Sequence, residues 1–485
     1  MPNPNIVALL YEQALLQPQA AAIITDQQVI SYAELKRCVS ILAKYFRDQG
    51  MLPGQVVGVS MLQHPLHLLV LLALAQVGAV SLPLHPAIPA ERRLLAAQRF
   101  GATCVVSGRN EFALEGVRFI GFDGVSFDAG STGDEMIFAA NGDMPLRIDV
   151  SSGTSGNPKG MILTHGVSTL RNQTNDAGAT SLSRVLSVDL NFIVGFRIAL
   201  ASLSRGSGLV FSPTAAAQDV MHSMITHRVT HAYFSPVQVR DILALAGAGG
   251  PRFVDIVCLR FIGGAVRADL LQAAMEKLSP NVFISYASTE SAVVSIATPE
   301  MLVRHPGTSG RVCECATVEI VDAEGKVLPV GTTGNMRIRS SHQVSGYYRD
   351  EARNQRHFRD GWFYPGDLGH FDAEGLLYMD GRADEQINIG GMNINPEDIE
   401  ATLAAHPAVM DAGVFVAMEA QGYEVSAVAL VLPDATRLDE VRAYAGAKLG
   451  PLAPARYFIT TTLPRTQTGK IRRAELAAMF TLAGI

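Results

Sequence analysis

Runs that are apolar throughout alternate with helix-length amphipathic segments as far as residue 287: QVVGVSM (55–61), CVVSG (104–108), GLVFSP (208–213), HAYFSP (231–236), LRFIGG (259–264) and NVFISYA (281–287). A run without polar alternation is covered on both faces, as parallel strands between helical layers are. The pattern predicts an α/β architecture. The longest apolar stretch, LHLLVLLALAQVGAVSLPLH (66–85), is interrupted by Gln76, Gly78 and Pro83. It reads as a buried helix passing into a strand, since a membrane span takes about 20 apolar residues. TVEIVDAEGKVLPVGTTGNMRIRS (317–340) differs: it alternates with period two and has turn signals at Ala323–Gly325 and Gly331–Gly334. That predicts a small antiparallel, barrel-like subdomain. From 385 the pattern restarts as strand, helix (NPEDIEATLAAHP), strand (DAGVFVAM), strand (SAVALVLP) and helix. A tail of about 100 residues is long enough for an α+β domain of its own. The expected division is 1–380, a link at 381–384, and 385–485.

Composition narrows the function. A chain of 485 residues, 48% hydrophobic, builds more than one core, because single cores stop growing near about 250–300 residues. A net charge of −6 provides no broad basic field, so nucleic acid is not an expected partner. The five cysteines are scattered. Cys313 and Cys315 form C-x-C with no second pair, so thiols in a reducing cytoplasm are expected rather than zinc or disulfides. The N-terminal MPNPNIVALLYEQALLQPQA lacks a basic n-region and carries Glu12, so it is not expected to be a signal peptide. No membrane partner is expected.

Four segments carry candidate chemistry. In SSGTSGNPKGMILTH (151–165), Lys159 is preceded by Pro158 and followed by Gly160 instead of a hydroxyl residue, so this is not a Walker A loop. Gly153, Gly156 and Gly160 still allow backbone N–H groups to turn toward an anion. Ser151, Ser152, Thr154 and Ser155 add hydroxyl donors. Taken alone, the segment is either a phosphate loop or a solvent loop. YASTES (286–291) places Tyr286, Thr289 and Glu290 directly after a predicted buried strand, where α/β sheets bind ligands. An acid beside a threonine suits magnesium on a phosphate. DGWFYPGDLG supplies Asp367, a partner for vicinal ribose hydroxyls, and Arg382 opens the link to the tail. LPRTQTGKIRR (463–473) presents Lys470 from a glycine-bearing loop ahead of the last helix.

These segments, in this order and spacing, resemble the adenylate-forming superfamily of acyl-CoA synthetases, aryl-CoA ligases, peptide-synthetase adenylation domains and luciferases. The style is that of free-standing acyl- or aryl-CoA ligases. The resemblance spans essentially the whole chain and includes GAVSLPLHPAIP and FIGGA (261–265). It implies ATP, Mg²⁺ and coenzyme A, or the phosphopantetheine of an acyl carrier protein, as cofactors. By the resemblance, residues 151–160 hold the β- and γ-phosphates with Lys159, and Tyr286 stacks on adenine. Gly263, Gly264 and Ala265 border the adenine and acyl sites. Thr289 contacts the α-phosphate, Glu290 binds magnesium, and Asp367 accepts the ribose hydroxyls with Arg382 alongside. Lys470 bridges substrate carboxylate and α-phosphate. The chemistry explains such a set: a carboxylate attacking phosphorus needs charge neutralisation and positioning far more than acid–base help. The family then rotates a mobile C-terminal domain, with Asp384 at the hinge position and Gly391 of NIGGMN (388–393) lining a thiol channel. Ala287, where glycine is usual, and Pro365, where threonine is usual, depart from the pattern without removing a charge.

The acyl pocket is expected around Phe192, Ile193, Val194 and Gly195, with Phe234, Val237, Val293 and Val294. α-Amino-acid enzymes carry an aspartate directly after the aromatic; here it is Ile193, and burying an unpaired ammonium is costly. Asp189 either serves a more distant amine or is a turn residue. An apolar lining suits an aryl or medium-chain acid. Coenzyme A, a carrier protein or an amine is the acceptor. A non-catalytic scaffold and a kinase-like phosphotransferase releasing ADP are the rival classes.

Overall fold

The apolar runs become neighbouring parallel strands in the computed structural model. It describes all residues except 1–4, 129, 132, 139, 152–158, 174–177, 248–251, 265, 384–386, 390, 391, 395, 419–423, 467, 468 and 482–485. One sheet runs Arg118–Ile120, Cys104–Val106, Val56–Val59, Val80–Pro83 and Pro145–Ser151 in parallel, and ends on the antiparallel strand Lys159–Thr164. A second sheet places Ala21–Ile24, Gly208–Val210, Arg184–Leu186, His231–Phe234, Cys258–Phe261 and Val282–Ser288 side by side, all parallel.

The helix Pro65–Val77 lies in the core, with Leu68, Val70, Ala73 and Leu74 fully buried. Gly78 ends it in the left-handed region (φ 80°), and the chain turns directly into the strand Val80–Pro83. Among the described residues no helix is long and apolar enough to cross a membrane.

The second sheet reverses at Val282–Ser288, which pairs antiparallel with Ala292–Ala297, and continues through Thr308–Val312, Leu377–Arg382, Asp367–Phe371 and Gly334–Ser340. The period-two segment therefore extends the large sheet. Its strands Ala316–Val321 and Gly334–Ser340 pair with Val318 opposite Ile338, which turns Val318, Ile320, Met336 and Ile338 inward. The tail folds around its own core of Ile399, Leu403, Val414, Val428, Leu430 and Val441. Its strands Asp411–Met418, Glu424–Val431 and Arg456–Ile459 form one sheet. The buried Glu400 carboxylate accepts from Arg473 and from Val414 N, pinning the last helix to the sheet.

Gly160 shows how tightly the strand Lys159–Thr164 is seated. A Cβ there would stand 2.3 Å from the ring of Phe100, which is 1% exposed. Gly160→Ala is expected to lower stability by about 1–3 kcal/mol, as overpacking does. Thermal denaturation checks this, and adding Phe100→Leu should recover part of the loss.

Candidate active site

The reversal between the strands Val282–Ser288 and Ala292–Ala297 is a tight turn closed by Ser291 N donating to Ser288 Oγ (3.0 Å), with Ala292 at φ 60°. Thr289 and Glu290 occupy that turn. Their main chain is held from behind: Arg171 Nη2 donates to Thr289 O (3.1 Å) and Glu290 O (3.3 Å), and Val344 N donates to Glu290 O (2.9 Å). Arg171 also donates to His342 O through Nε (3.0 Å) and Nη2 (2.8 Å). Burial draws its pKa down to about 10, so it stays cationic at neutral pH.

The Glu290 side chain points to a second anchor. Tyr347 Oη donates to Glu290 Oε1 (2.7 Å). Burial, then the Glu290 charge, push the Tyr347 hydroxyl far above its ordinary range, which keeps it a proton donor. Asn354 clamps Tyr347 by bonding both its N–H (2.6 Å) and its carbonyl (3.0 Å). Lys159 Nζ lies 5.8 Å from the Tyr347 ring centre, and Tyr348 N donates to Gly160 O (2.7 Å). Tyr347 thus joins the start of the strand after the glycine-rich loop to the carboxylate expected to bind metal.

The glycine-rich segment connects two antiparallel strands, with Ser151 paired to Lys159. A phosphate-binding P-loop instead leads from strand to helix, so the geometry agrees with the absence of a Walker A pattern. Ser152, Gly153, Thr154, Ser155 and Gly156 lie outside the described residues, as do Ala265, Asp384 and Gly391.

Asp367 stands directly across the ladder from Arg382. Arg382 Nη1 donates to Oδ1 (2.9 Å), and the Tyr286 hydroxyl donates to Oδ2. Burial, and then Asp367, raise the Tyr286 pKa well above the usual range, so this hydroxyl also remains a donor. A carboxylate has about four lone-pair sites. Asp367 therefore keeps capacity for a diol while Tyr286 and Arg382 fix its plane.

Lys470 is exposed on a hairpin braced at its base: Thr466 N donates to Lys470 O (2.8 Å), Lys470 N donates to Thr466 Oγ1 (3.1 Å), and Arg465 binds both Asp411 oxygens (2.6 and 2.7 Å). A Cβ on Gly469 would lie 3.1 Å from Val237 Cγ2, so the hairpin faces the large domain at the first turn of the helix Pro236–Ala246. Arg267 Nη2 donates to Ala404 O (2.8 Å) across the same junction. A Cβ on Gly264 would be 3.6 Å from Pro236, which sets the Gly263–Gly264 turn beside this contact.

The expected acyl wall is narrower than the sequence suggests. Phe192, Ile193 and Val194 are half-buried at the start of the helix Ile193–Ser204, and Gly195 packs so that a Cβ would meet Asp189 O at 2.2 Å. Val237 is half-buried. Phe234, however, is 3% exposed among Val210, Val239 and Phe261, and Val294 is fully buried among Ile320, Ile338 and Phe363. Both belong to the core. Strand alternation is the reason: Tyr233 and Phe234 necessarily face opposite sides of the sheet, and Tyr233 belongs to the same core as Phe196 and Leu190. Asp189 accepts from His85 Nε2 (3.2 Å), Asn191 N (2.9 Å) and Asn191 Nδ2 (2.8 Å). Burial raises its pKa, but these bonds outweigh burial and hold it below the usual carboxylate range. Asp189 is a turn residue beside Phe192, whose ring lies 6.1 Å from that of His85.

Arg171, Tyr347 and His85 were not singled out in the sequence. One signal existed for Arg171: His165, Ser168, Arg171 and Asn172 repeat at helical spacing and are all buried, a polar stripe where apolar residues are usual.

Residues 10–348 match the family described as AMP-binding enzyme, and residues 398–470 match its C-terminal domain. The chain is 27% identical over 481 residues to a 2-succinylbenzoate–CoA ligase of Bacillus mycoides (strain KBAB4), covering 96% of this chain and 97% of that one. It is 28% identical over 494 residues to an indoleacetate–CoA ligase of Aromatoleum aromaticum, covering 95% of each. The solved o-succinylbenzoate CoA synthetase of Bacillus subtilis, in complex with its acyl-adenylate intermediate, superposes with a TM-score of 0.89 at 26% identity over 98% of both chains. The same enzyme with ATP and magnesium ion superposes at 0.86 and 26% identity, over 96% of this chain and 98% of that one. With the first family model spanning most of the sequence and the second following it in order, this chain belongs to the AMP-binding enzyme family.

Proposed function

We propose that the protein activates an aryl or medium-chain carboxylic acid with ATP, releasing pyrophosphate and forming acyl-AMP, and then transfers the acyl group to the thiol of coenzyme A. The observation that carries this reading is the convergence at the end of strand Val282–Ser288. Tyr286 bonds to Asp367, which Arg382 also holds; Glu290 bonds to Tyr347, whose ring lies near Lys159; and the Lys470 hairpin of the tail faces Val237. Tyr286 and Asp367 hold adenosine, with Arg382 fixing the carboxylate. The Glu290 carboxylate and Thr289 hydroxyl are hard oxygen donors, which suits Mg²⁺ on a phosphate; the ion supplies charge neutralisation there. Lys159 and Lys470 add positive charge at the phosphates and at the attacking carboxylate. Residues 1–380 form the substrate domain, 381–384 the hinge, and 385–485 the domain that exchanges Lys470 for the Gly391 segment in the thioester step. Aryl-CoA ligases among the relatives support the acyl class and the thiol acceptor.

A pyrophosphate-release screen over aryl, short-chain, medium-chain and amino acids tests the reading. Aryl or medium-chain acids should give release with AMP as co-product, and thioester should form only when coenzyme A is added. ADP as product, or thioester or amide formed only with a carrier protein or an amine, would overturn it.

Tyr347→Phe removes the donor that fixes Glu290. The expected result is a several-fold rise in the Mg²⁺ concentration for half-maximal pyrophosphate release, with a stability loss of about 1–2 kcal/mol. Magnesium titration and thermal denaturation measure the two effects separately.

A further inference from the structure

Adenylation chemistry has no use for the C-x-C pair, yet the fold ties it to the strand that follows the Thr289–Glu290 turn. Residues 313–315 link the strands Thr308–Val312 and Ala316–Val321 in a turn closed by Ala316 N donating to Cys313 O (2.9 Å). The turn separates the two cysteines by a single residue, and the Cys313 side chain is a hydrogen-bond partner of Cys315. Both cysteines are half-buried with Glu314 exposed between them, whereas Cys38, Cys104 and Cys258 are buried. His342, 6% exposed, also bonds to Cys315. The Cys313 hydrogen bond, joined by the bond and charge of His342 and opposed by burial, holds the Cys315 thiol well below the ordinary thiol range. Among the described residues no group of three or more His, Cys, Asp or Glu is arranged to hold a metal.

The turn is fastened to the strand Ala292–Ala297. Cys313 N donates to Val294 O (2.8 Å), and Cys315 Sγ lies 3.8 Å from Val293 O, just beyond the Thr289–Glu290 turn. Ser341 N donates to Cys315 O (3.0 Å). One residue further, His342 O is the carbonyl that Arg171 grips together with those of Thr289 and Glu290.

We propose that Cys313 and Cys315 form a redox-active dithiol, oxidised to an intramolecular disulfide by exchange with a small disulfide of the glutathione class, and that oxidation slows the reaction at the adjoining Thr289–Glu290 turn. The Cys315 thiolate attacks one sulfur of the external disulfide, whose S–S bond breaks and expels one thiolate. Cys313 then loses its proton to solvent and attacks the Cys315 sulfur, expelling the second thiolate. The pair gives up two electrons, and the external disulfide is reduced to two thiols. The bridge removes the negative charge beside His342, loosening the segment that Arg171 ties to the turn.

The full-length protein is incubated with oxidised glutathione, alkylated and mapped by mass spectrometry. A 313–315 disulfide reversed by dithiothreitol is expected. In the reduced protein, Cys315 should alkylate about tenfold faster than Cys313 at neutral pH. Cys313→Ser should accumulate the mixed disulfide on Cys315, and Cys315→Ser should form neither product. Equal alkylation rates, no 313–315 link, or stoichiometric zinc on the purified protein would overturn the dithiol. The rate arm rests on the function proposed above, while the mass arms do not. Oxidation should slow pyrophosphate release several-fold in the wild type and leave the double serine variant unaffected. A disulfide without a rate change overturns the link to the turn.

Discussion

Replacing Lys470 with alanine should lower pyrophosphate release by at least about 10²–10³-fold, the cost of removing one preorganised donor aimed at developing charge. Thioester formation from pre-made acyl-AMP should stay within a few-fold of wild type. The side chain is exposed and its hairpin is braced by Thr466, Arg465 and Asp411, so the substitution removes a charge without unseating the loop. The hairpin nevertheless faces Val237 across the junction. A lysine whose removal damages one half-reaction and spares the other belongs to one of two domain arrangements. Equal loss of both would remove the basis for a hinge at 381–384. Stopped-flow assays of the separate half-reactions make the distinction.

Arg171→Met should produce the second-largest effect, on stability and rate together. The substitution orphans the carbonyls of Thr289 and His342, each of which costs about 1–3 kcal/mol when buried without a partner, and leaves that of Glu290 with Val344 N alone. It also frees the turn that carries Glu290, and a displacement of about 1 Å at such a site costs about 10²-fold in rate. Urea denaturation should register a loss of about 3 kcal/mol or more, and pyrophosphate release should fall about 10²-fold. A variant as stable as wild type would mean that those carbonyls find other donors.

The two predictions differ in how far they were legible in the sequence. Lys470 lies in a local pattern, a glycine loop ahead of a helix, and local patterns carry over well: DAGVFVAM is the strand Asp411–Met418, and the apolar stretch from 66 is the helix Pro65–Val77 followed by Val80–Pro83. Arg171 gains its role from a partner 171 positions away, and Tyr347 from one 57 positions away. No local spacing encodes such contacts. Phe234 failed for a different reason. In HAYFSP every residue from Ala232 to Phe234 is apolar, so nothing in the run tells which side chains face a ligand and which face the core. Asp189 was ambiguous for want of one fact, the position of His85, which the fold brings within 3.2 Å.

The most direct measurement follows the substrate oxygen. An acid that scores in the screen is labelled with heavy oxygen in its carboxylate, turned over with ATP and coenzyme A, and the AMP is weighed by mass spectrometry. One labelled oxygen in each AMP is expected, because the carboxylate itself attacks the α-phosphorus. Unlabelled AMP, or ADP with the heavy atom found in inorganic phosphate, would contradict that attack.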